Sequence, residues 1–443
     1  MTQTSDAIFP RNFSENYPVI VRGEGVFLFD EEGKRYLDAG NAAVTIIGHG
    51  VPEIIEAARQ AYELPYVHSA LFHNPASNEL ASFLSGKFPG EPQHVRVHFT
   101  SGGSESTESI IKIARQYWLS RGQRERYKII ARWQGYHGTS LGALALSGNR
   151  RRREAYLPLL PNMGHIAACF CYRCPFGMEY PQCELACATD LVRAIEEAGP
   201  ETVAAFILEP VVGASSGAVP PDGYLRTIRE ICDRYDILLI ADEVLTGVGR
   251  TGKYFAVEHW GVVPDLILTA KGLSAGYSPL GAVLLGEKVW KAIEAGTKTL
   301  EHGYTYQDHP QSTSIGLAVQ RFIEKHELVG RAAEMGDYLA ERLERLRRYP
   351  RVGDVRGKGL LQTVEFVADR ETKQALASEH RFVEKIYLDL LKRGVAVYPM
   401  RGTADGIAGE HIMIAPPYTI GHAEIDFLVD QIENALRSCS AEE

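Results

Sequence analysis

Long hydrophobic runs are missing from this 443-residue chain, and none approaches the length that spans a bilayer. The first residues, MTQTSDAIF, lack the basic start and apolar stretch of a secretory signal. Cysteine is sparse, at seven, and the odd count argues against a disulfide scaffold. Positive charge is in deficit: 47 Lys and Arg stand against 56 Asp and Glu, a net −9 that argues against nucleic acid as a partner. Internal repeats and low-complexity tracts are also lacking. These absences leave small-molecule chemistry in the cytoplasm as the expectation, with no membrane and no nucleic acid.

What is present is a 45% hydrophobic complement and an ordinary 23% charged. A chain of this length supports more than one domain. Apolar, β-rich runs lie at 127–133 (YKIIARW), 204–208 (AAFIL), 237–241 (ILLIA) and 266–270 (LILTA). Near-continuous apolar character suits a parallel sheet covered on both faces. Helical patterns such as 223–235 lie between them, which implies an α/β layered domain. From about 324 the texture shifts to charged amphipathic helix over 331–348, stopped at Pro350. Strand-like pieces at 360–367, 395–398 and 411–415 follow, with a helix near 381–392. With short N-terminal strands such as 25–29, they read as a smaller α+β domain. The expected layout is a small-domain segment at 1–60, a large α/β domain with a mostly parallel central sheet at 61–325, and the rest of the small domain at 326–443.

The turn Ser101-Gly102-Gly103-Ser104 follows the strand-like 94–100 and opens a helix whose apolar face carries Ile110, Ile113, Ala114, Tyr117 and Trp118. Ser104 suits the N-cap, and Glu105 and Glu108 suit the first turn. Glycines at a helix start leave free N–H groups and room for close approach, which favours a phosphate. An ordinary cap and tight turn explain the same residues. A second glycine motif, Gly247-Val248-Gly249-Arg250-Thr251-Gly252, mimics dinucleotide and triphosphate loops. It lacks their continuations: Tyr254 stands where Ser or Thr would hold magnesium, and Asp265 falls too early and before its strand.

Lys271 ends the apolar run 266–270, and Asp242 ends 237–241. Opposite charges at the mouths of two buried strands mark the sheet edge where α/β proteins bind ligands. Desolvation there makes a lysine a better nucleophile and proton carrier. A structural ion pair is the alternative.

Residues 241–284, ADEVLTGVGRTGKYFAVEHWGVVPDLILTAKGLSAGYSPLGAVL, resemble the core of the class III aminotransferases. FTSGGSESTE (99–108), GYHGTSLGAL (135–144), FILEPVVG (206–213), HGYTYQDHP (302–310) and APP (415–417) extend the resemblance over most of the chain in family order. It implies fold type I with pyridoxal 5′-phosphate (PLP) as cofactor. Lys271 would hold the cofactor as a Schiff base and then shuttle protons; Asp242 would pair with the pyridine nitrogen. Gly103 and Ser104 match the phosphate turn, Tyr136 the aromatic stacked on the ring, and Val244 the apolar residue on its other face. Glu209 matches an acid near the substrate side, and His137 accompanies Tyr136 in the family's YHG, both counted with the cofactor site. Thr305 matches the threonine that reaches the phosphate across a homodimer interface. The family often has Gly where Asp308 stands. Some relatives bind substrate carboxylate with a mobile arginine, here matched by Arg401. Asn41, Ala42 and Ala43 lie near the expected pocket entrance.

The implied reaction moves an amino group from an amine or (ω-)amino acid to a 2-oxo acid such as pyruvate or 2-oxoglutarate. A 2,2-dialkylglycine decarboxylase, an aminomutase and racemases share the same Lys and Asp. Cys171, Cys174, Cys183 and Cys187 have spacing that admits a structural zinc, against packed reduced thiols. A zinc-stabilised PLP-fold scaffold without activity is the non-enzymatic reading.

Overall fold

A computed structural model of the chain describes residues 7–9, 11–13, 17–91, 94–377 and 380–441. Its centre is a seven-stranded sheet in the order Arg96–Thr100, Gly281–Leu285, Leu266–Thr269, Leu238–Asp242, Val203–Leu208, Lys128–Arg132, Gly164–Ile166. Gly281–Leu285 runs antiparallel to both neighbours, and the remaining pairings are parallel. All the residues of Val203–Leu208 and Leu238–Asp242 are buried. Their apolar runs divide by alternation: Leu239 and Ala241 join one core layer, Leu238 and Ile240 the other. That double burial explains why these strands show no polar face.

The first strand lies at one edge of the sheet, while the next in sequence lies across four intervening strands. The helix Gly103–Ser120 makes this crossing, so its N-terminus sits at the carboxyl edge of the sheet. Asp242 and the segment after Thr269 end at the same edge. A break in strand order of this kind opens a crevice there.

The N-terminal strands Ile20–Glu24, Phe27–Asp30 and Arg35–Asp38 form a second sheet with Val395–Ala396. An antiparallel sheet of Val352–Lys358, Leu361–Asp369, Glu410–Ile414 and Tyr398–Arg401 lies beside it in sequence, with Gln374–Ala375 pairing at Leu361–Asp369. Leu37 and Ile54 share one core with Leu339, Phe366, Ile386 and Leu428. The two ends of the chain thus bury each other's apolar faces.

Several expected elements differ in detail. The strand expected at 25–29 is broken at Gly25, which takes φ 57° and bridges to His49. The strand expected at 395–398 is two short strands in different sheets, because the chain crosses between them at Val397. The helix expected at 331–348 spans Leu328–Glu344 and tightens into a 3₁₀ turn, Arg345–Arg348, before Pro350. Gly247–Gly252 carries no helix behind it. Its left-handed Gly249 and Gly252 (φ 96° and 89°) lie where a Cβ would strike Val329 and Ala333, at 2.9 and 2.8 Å. The motif docks the helix Leu328–Glu344.

Candidate active site

A cavity of about 430 Å³ opens at the carboxyl edge, lined among others by Gly103, Ser104, Tyr136, His137, Glu209, Asp242, Val244 and Lys271. Eight residues from five separate segments, singled out on sequence, therefore meet in one place. Arg401 and Thr305 do not line it.

Lys271 takes a left-handed backbone, φ 43°, at the start of the turn Lys271–Leu273. A non-glycine residue rarely adopts this region, and such strain clusters at functional sites. Among the described residues no carboxylate oxygen comes within 4.0 Å of its Nζ. The ion-pair alternative is thereby overturned: Lys271 and Asp242 share a cavity without touching. Burial pushes the Lys271 pKa down, opposed by the charges of Asp242 and Glu209.

Asp242 is fixed from behind. Its Oδ2 meets His137 Nδ1 at 2.7 Å, and its Oδ1 accepts from Val244 N at 3.0 Å. A carboxylate only accepts, so His137 carries its proton on Nδ1. His137 Nε2 is buried with no hydrogen-bond partner among the described residues. Glu209 spans two loops, accepting from Tyr136 N at 2.9 Å and Gly213 N at 3.0 Å. Burial raises the Glu209 pKa. The neighbouring Glu243, which sequence reasoning passed over, is buried and pushed up to about 7, accepting from Val257 N at 2.9 Å. It faces the protein interior rather than the cavity. Only its place beside Asp242 in the motif signalled it.

The glycine turn departs from expectation in one respect. Gly102 is the cap and carries no side-chain hydrogen bond, while Ser104 lies inside the first helical turn. Ser104 Oγ instead accepts from Thr139 N at 3.1 Å. Glu105 reaches back to Ser101 N at 2.8 Å. Glu108 lies beyond the first turn and accepts from Gly142 N and Ala143 N, capping the helix Leu141–Leu146. A Cβ on Gly103 would strike Val244 at 2.9 Å, whereas a Cβ on Gly102 would meet nothing within 4 Å. The turn thus borders open space at a helix N-terminus, which suits a phosphate.

These features fit PLP. An unpaired ammonium, a carboxylate held by a histidine, an aromatic, an apolar residue and a phosphate-type cradle line one cavity. Ser274 and Ser278 also line it, with Ser274 Oγ bonded to Ser278 O at 2.5 Å. No periodicity flagged either one.

Thr305 is exposed, and its carbonyl accepts from Tyr66 OH at 2.5 Å. Asp308 has φ 55°, which explains a glycine preference there; Asp is among the few residues that tolerate it. Arg401 lies in an adjoining chamber, ion-paired to Glu384 and 3.8 Å from Glu410. Gly40, Asn41 and Ala42 line that chamber too. Ala43 instead packs in a small core beside Val211.

The cysteines Cys171, Cys174, Cys183 and Cys187 are free thiols, and Cys187 shares a thiol hydrogen bond with Cys169. Among the described residues three or more metal-type ligand atoms lie close together only at Glu91, His94 and Glu287, and the four cysteines do not form such a group. No helix among the described residues is long and apolar enough to cross a membrane.

Residues 8–436 match the family model described as aminotransferase class-III. A solved (S)-enantioselective omega-transaminase from Thermomicrobium roseum is 38% identical with a TM-score of 0.90, covering 98% of this chain and 96% of that one. A solved amine transaminase from an uncultivated Pseudomonas species, in its PLP-bound form, is 35% identical with a TM-score of 0.91, covering 98% of each chain. The putrescine–pyruvate aminotransferase of Pseudomonas aeruginosa is 34% identical over 428 residues, 96% of this chain and 91% of its own.

Proposed function

This chain belongs to the class-III aminotransferases, PLP-dependent enzymes that pass an amino group to a 2-oxo acid, and from that premise we propose how its own residues divide the reaction. Bound here, PLP supplies an aldehyde that takes up the amino group and a ring that draws electrons from the substrate carbon. Lys271 would carry it through Nζ, and Gly103 and Ser104 would hold its phosphate at the helix start. Tyr136 and Val244 would bracket the ring.

Asp242 would hold a proton on the ring nitrogen. His137, bonded to its Oδ2, keeps that carboxylate oriented. Lys271 would also move the proton at the substrate carbon through its Nζ. Its lowered pKa increases the neutral fraction that can accept it. Glu209 stays bonded to Tyr136 N and Gly213 N and fixes the substrate-side loops.

Thr305 is supported as a residue of a neighbouring site in a homodimer by its exposure and by lying outside the lining of its own chain's cavity. A cytoplasmic location is supported by seven cysteines without a disulfide. The donor is an amine or ω-amino acid and the acceptor a 2-oxo acid such as pyruvate.

The observation that carries this reading is the unpaired Lys271 ammonium sharing a cavity with Asp242. Lys271→Ala is expected to abolish transamination while still taking up PLP, followed by the absorbance of bound cofactor. Full turnover by that variant would refute the assignment.

A further inference from the structure

A chamber of about 1090 Å³ is linked to the Lys271 cavity through Tyr136, whose ring lines the cavity and lies against Arg152 of the chamber wall. Its lining holds five arginines, Arg11, Arg151, Arg152, Arg381 and Arg401, against two carboxylates, Asp38 and Glu384. Neither carboxylate is available to a ligand. Asp38 is bonded to His49 and Thr45, each at 2.8 Å, and Glu384 is ion-paired to Arg381 and Arg401.

The other three arginines have no ion-pair partner among the described residues. Arg11 and Arg151 are exposed at the rim, but Arg152 is half-buried. Its guanidinium lies 4.7 Å from the centroid of the Tyr136 ring. A half-buried guanidinium stacked on an active-site aromatic, with its donors unmatched, is a ready anion receptor. Net positive walls also raise the local concentration of anions and repel cations. The charge of Arg152 reaches Lys271 as well, where it adds to the effect of burial in lowering the lysine's pKa.

We propose that this chamber selects substrates whose far end is a carboxylate, and that Arg152 is its specificity-determining residue. The reacting amine would enter beside Lys271 while the tail passes Tyr136 to the guanidinium. This rests on the aminotransferase reading and narrows its substrate to ω-amino acids over simple amines and diamines.

The test uses PLP-loaded enzyme, pyruvate as acceptor and three donors of one chain length: 5-aminopentanoate, pentylamine and 1,5-diaminopentane. The expected order of kcat/KM is acid, then neutral amine, then diamine, with the acid about tenfold to a hundredfold above pentylamine. Raising salt should narrow that gap. Arg152→Gln should lower the acid-to-amine ratio about tenfold, and Arg152→Lys should retain most of it. The salt series on wild type decides the matter if Arg152→Gln fails to fold. Equal rates for all three donors, or a gap indifferent to salt, would overturn the proposal and leave the aminotransferase reading standing. Failure of every donor would instead count against that reading.

Discussion

Glu365, on Leu361–Asp369, and Asp242, on Leu238–Asp242, are both buried carboxylates at strand positions, but their partners differ in kind. Glu365 is enclosed by two cations: Arg173 Nε lies 2.5 Å from one oxygen and Arg356 2.7 Å from the other. Asp242 meets a histidine and a backbone N–H, while the cation in its own cavity, Lys271, stands apart. The first cluster pairs its charges within the chain, although Glu365 Oε2 and Arg173 Nη2 make no hydrogen bond. The second is left with an ammonium and a buried His137 Nε2 that nothing matches. A fold that can pair its charges and does not do so here is holding space for another molecule.

The sharpest way to break this comparison is at Asp242. Asp242→Asn keeps the shape but removes the charge proposed to serve the cofactor's ring nitrogen. Transamination rates are expected to fall by about 10³-fold, on the scale of a lost acid–base group. Folding, followed by circular dichroism, should persist. A variant within tenfold of wild type would place Asp242 with the structural carboxylates.

Glu365→Ala attacks the other side. It removes the one carboxylate paired with Arg173, which keeps the Lys373 carbonyl, while Arg356 keeps Asp354 at 3.0 Å; both guanidiniums are only slightly exposed. Removing one partner of a buried pair costs about 3 kcal/mol in stability. The urea midpoint should drop accordingly, while donor specificity stays as it was. Loss of activity without loss of stability would show that the two clusters are not separate.

Much of this arrangement was legible in the sequence. Buried strands announce themselves through runs such as ILLIA, because a sheet covered on both faces needs no polar side. Lys271 and Asp242 stood out because charge at the end of such a run has few bland explanations. Local chemistry was less legible. Ser104 looked like a cap, yet Gly102, nearly fully extended at φ 170°, takes that place and leaves Ser104 to bind Thr139. Val395–Ala396 and Tyr398–Arg401 read as one strand, since a change of sheet at Val397 leaves no mark in a short apolar run. The arginine chamber was invisible, because Arg11, Arg152 and Arg401 are far apart in sequence and only tertiary structure brings them to one wall.

The smallest effect sharpens the comparison most, because it has opposite signs in the two clusters. Glu365 stabilises the fold, so removing it costs stability. Lys271 has a pKa pushed down by burial, so the folded apoprotein disfavours its charged form. The unfolded chain binds that proton up to the ordinary lysine pKa of 10.5. Between the lowered folded value and 10.5 the unfolded state therefore holds more protons, and stability rises with pH through that window. Lys271→Met removes the charge and keeps much of the apolar stem. The apoprotein of this variant is expected to exceed wild type by about 1 kcal/mol at neutral pH, as often happens when a strained functional group is replaced. The gap should close as pH climbs toward 10.5. Denaturant melts of both apoproteins at neutral and alkaline pH measure it. A variant less stable than wild type at neutral pH would mean that Lys271 is held by the fold, as Glu365 is, rather than held ready for the cofactor.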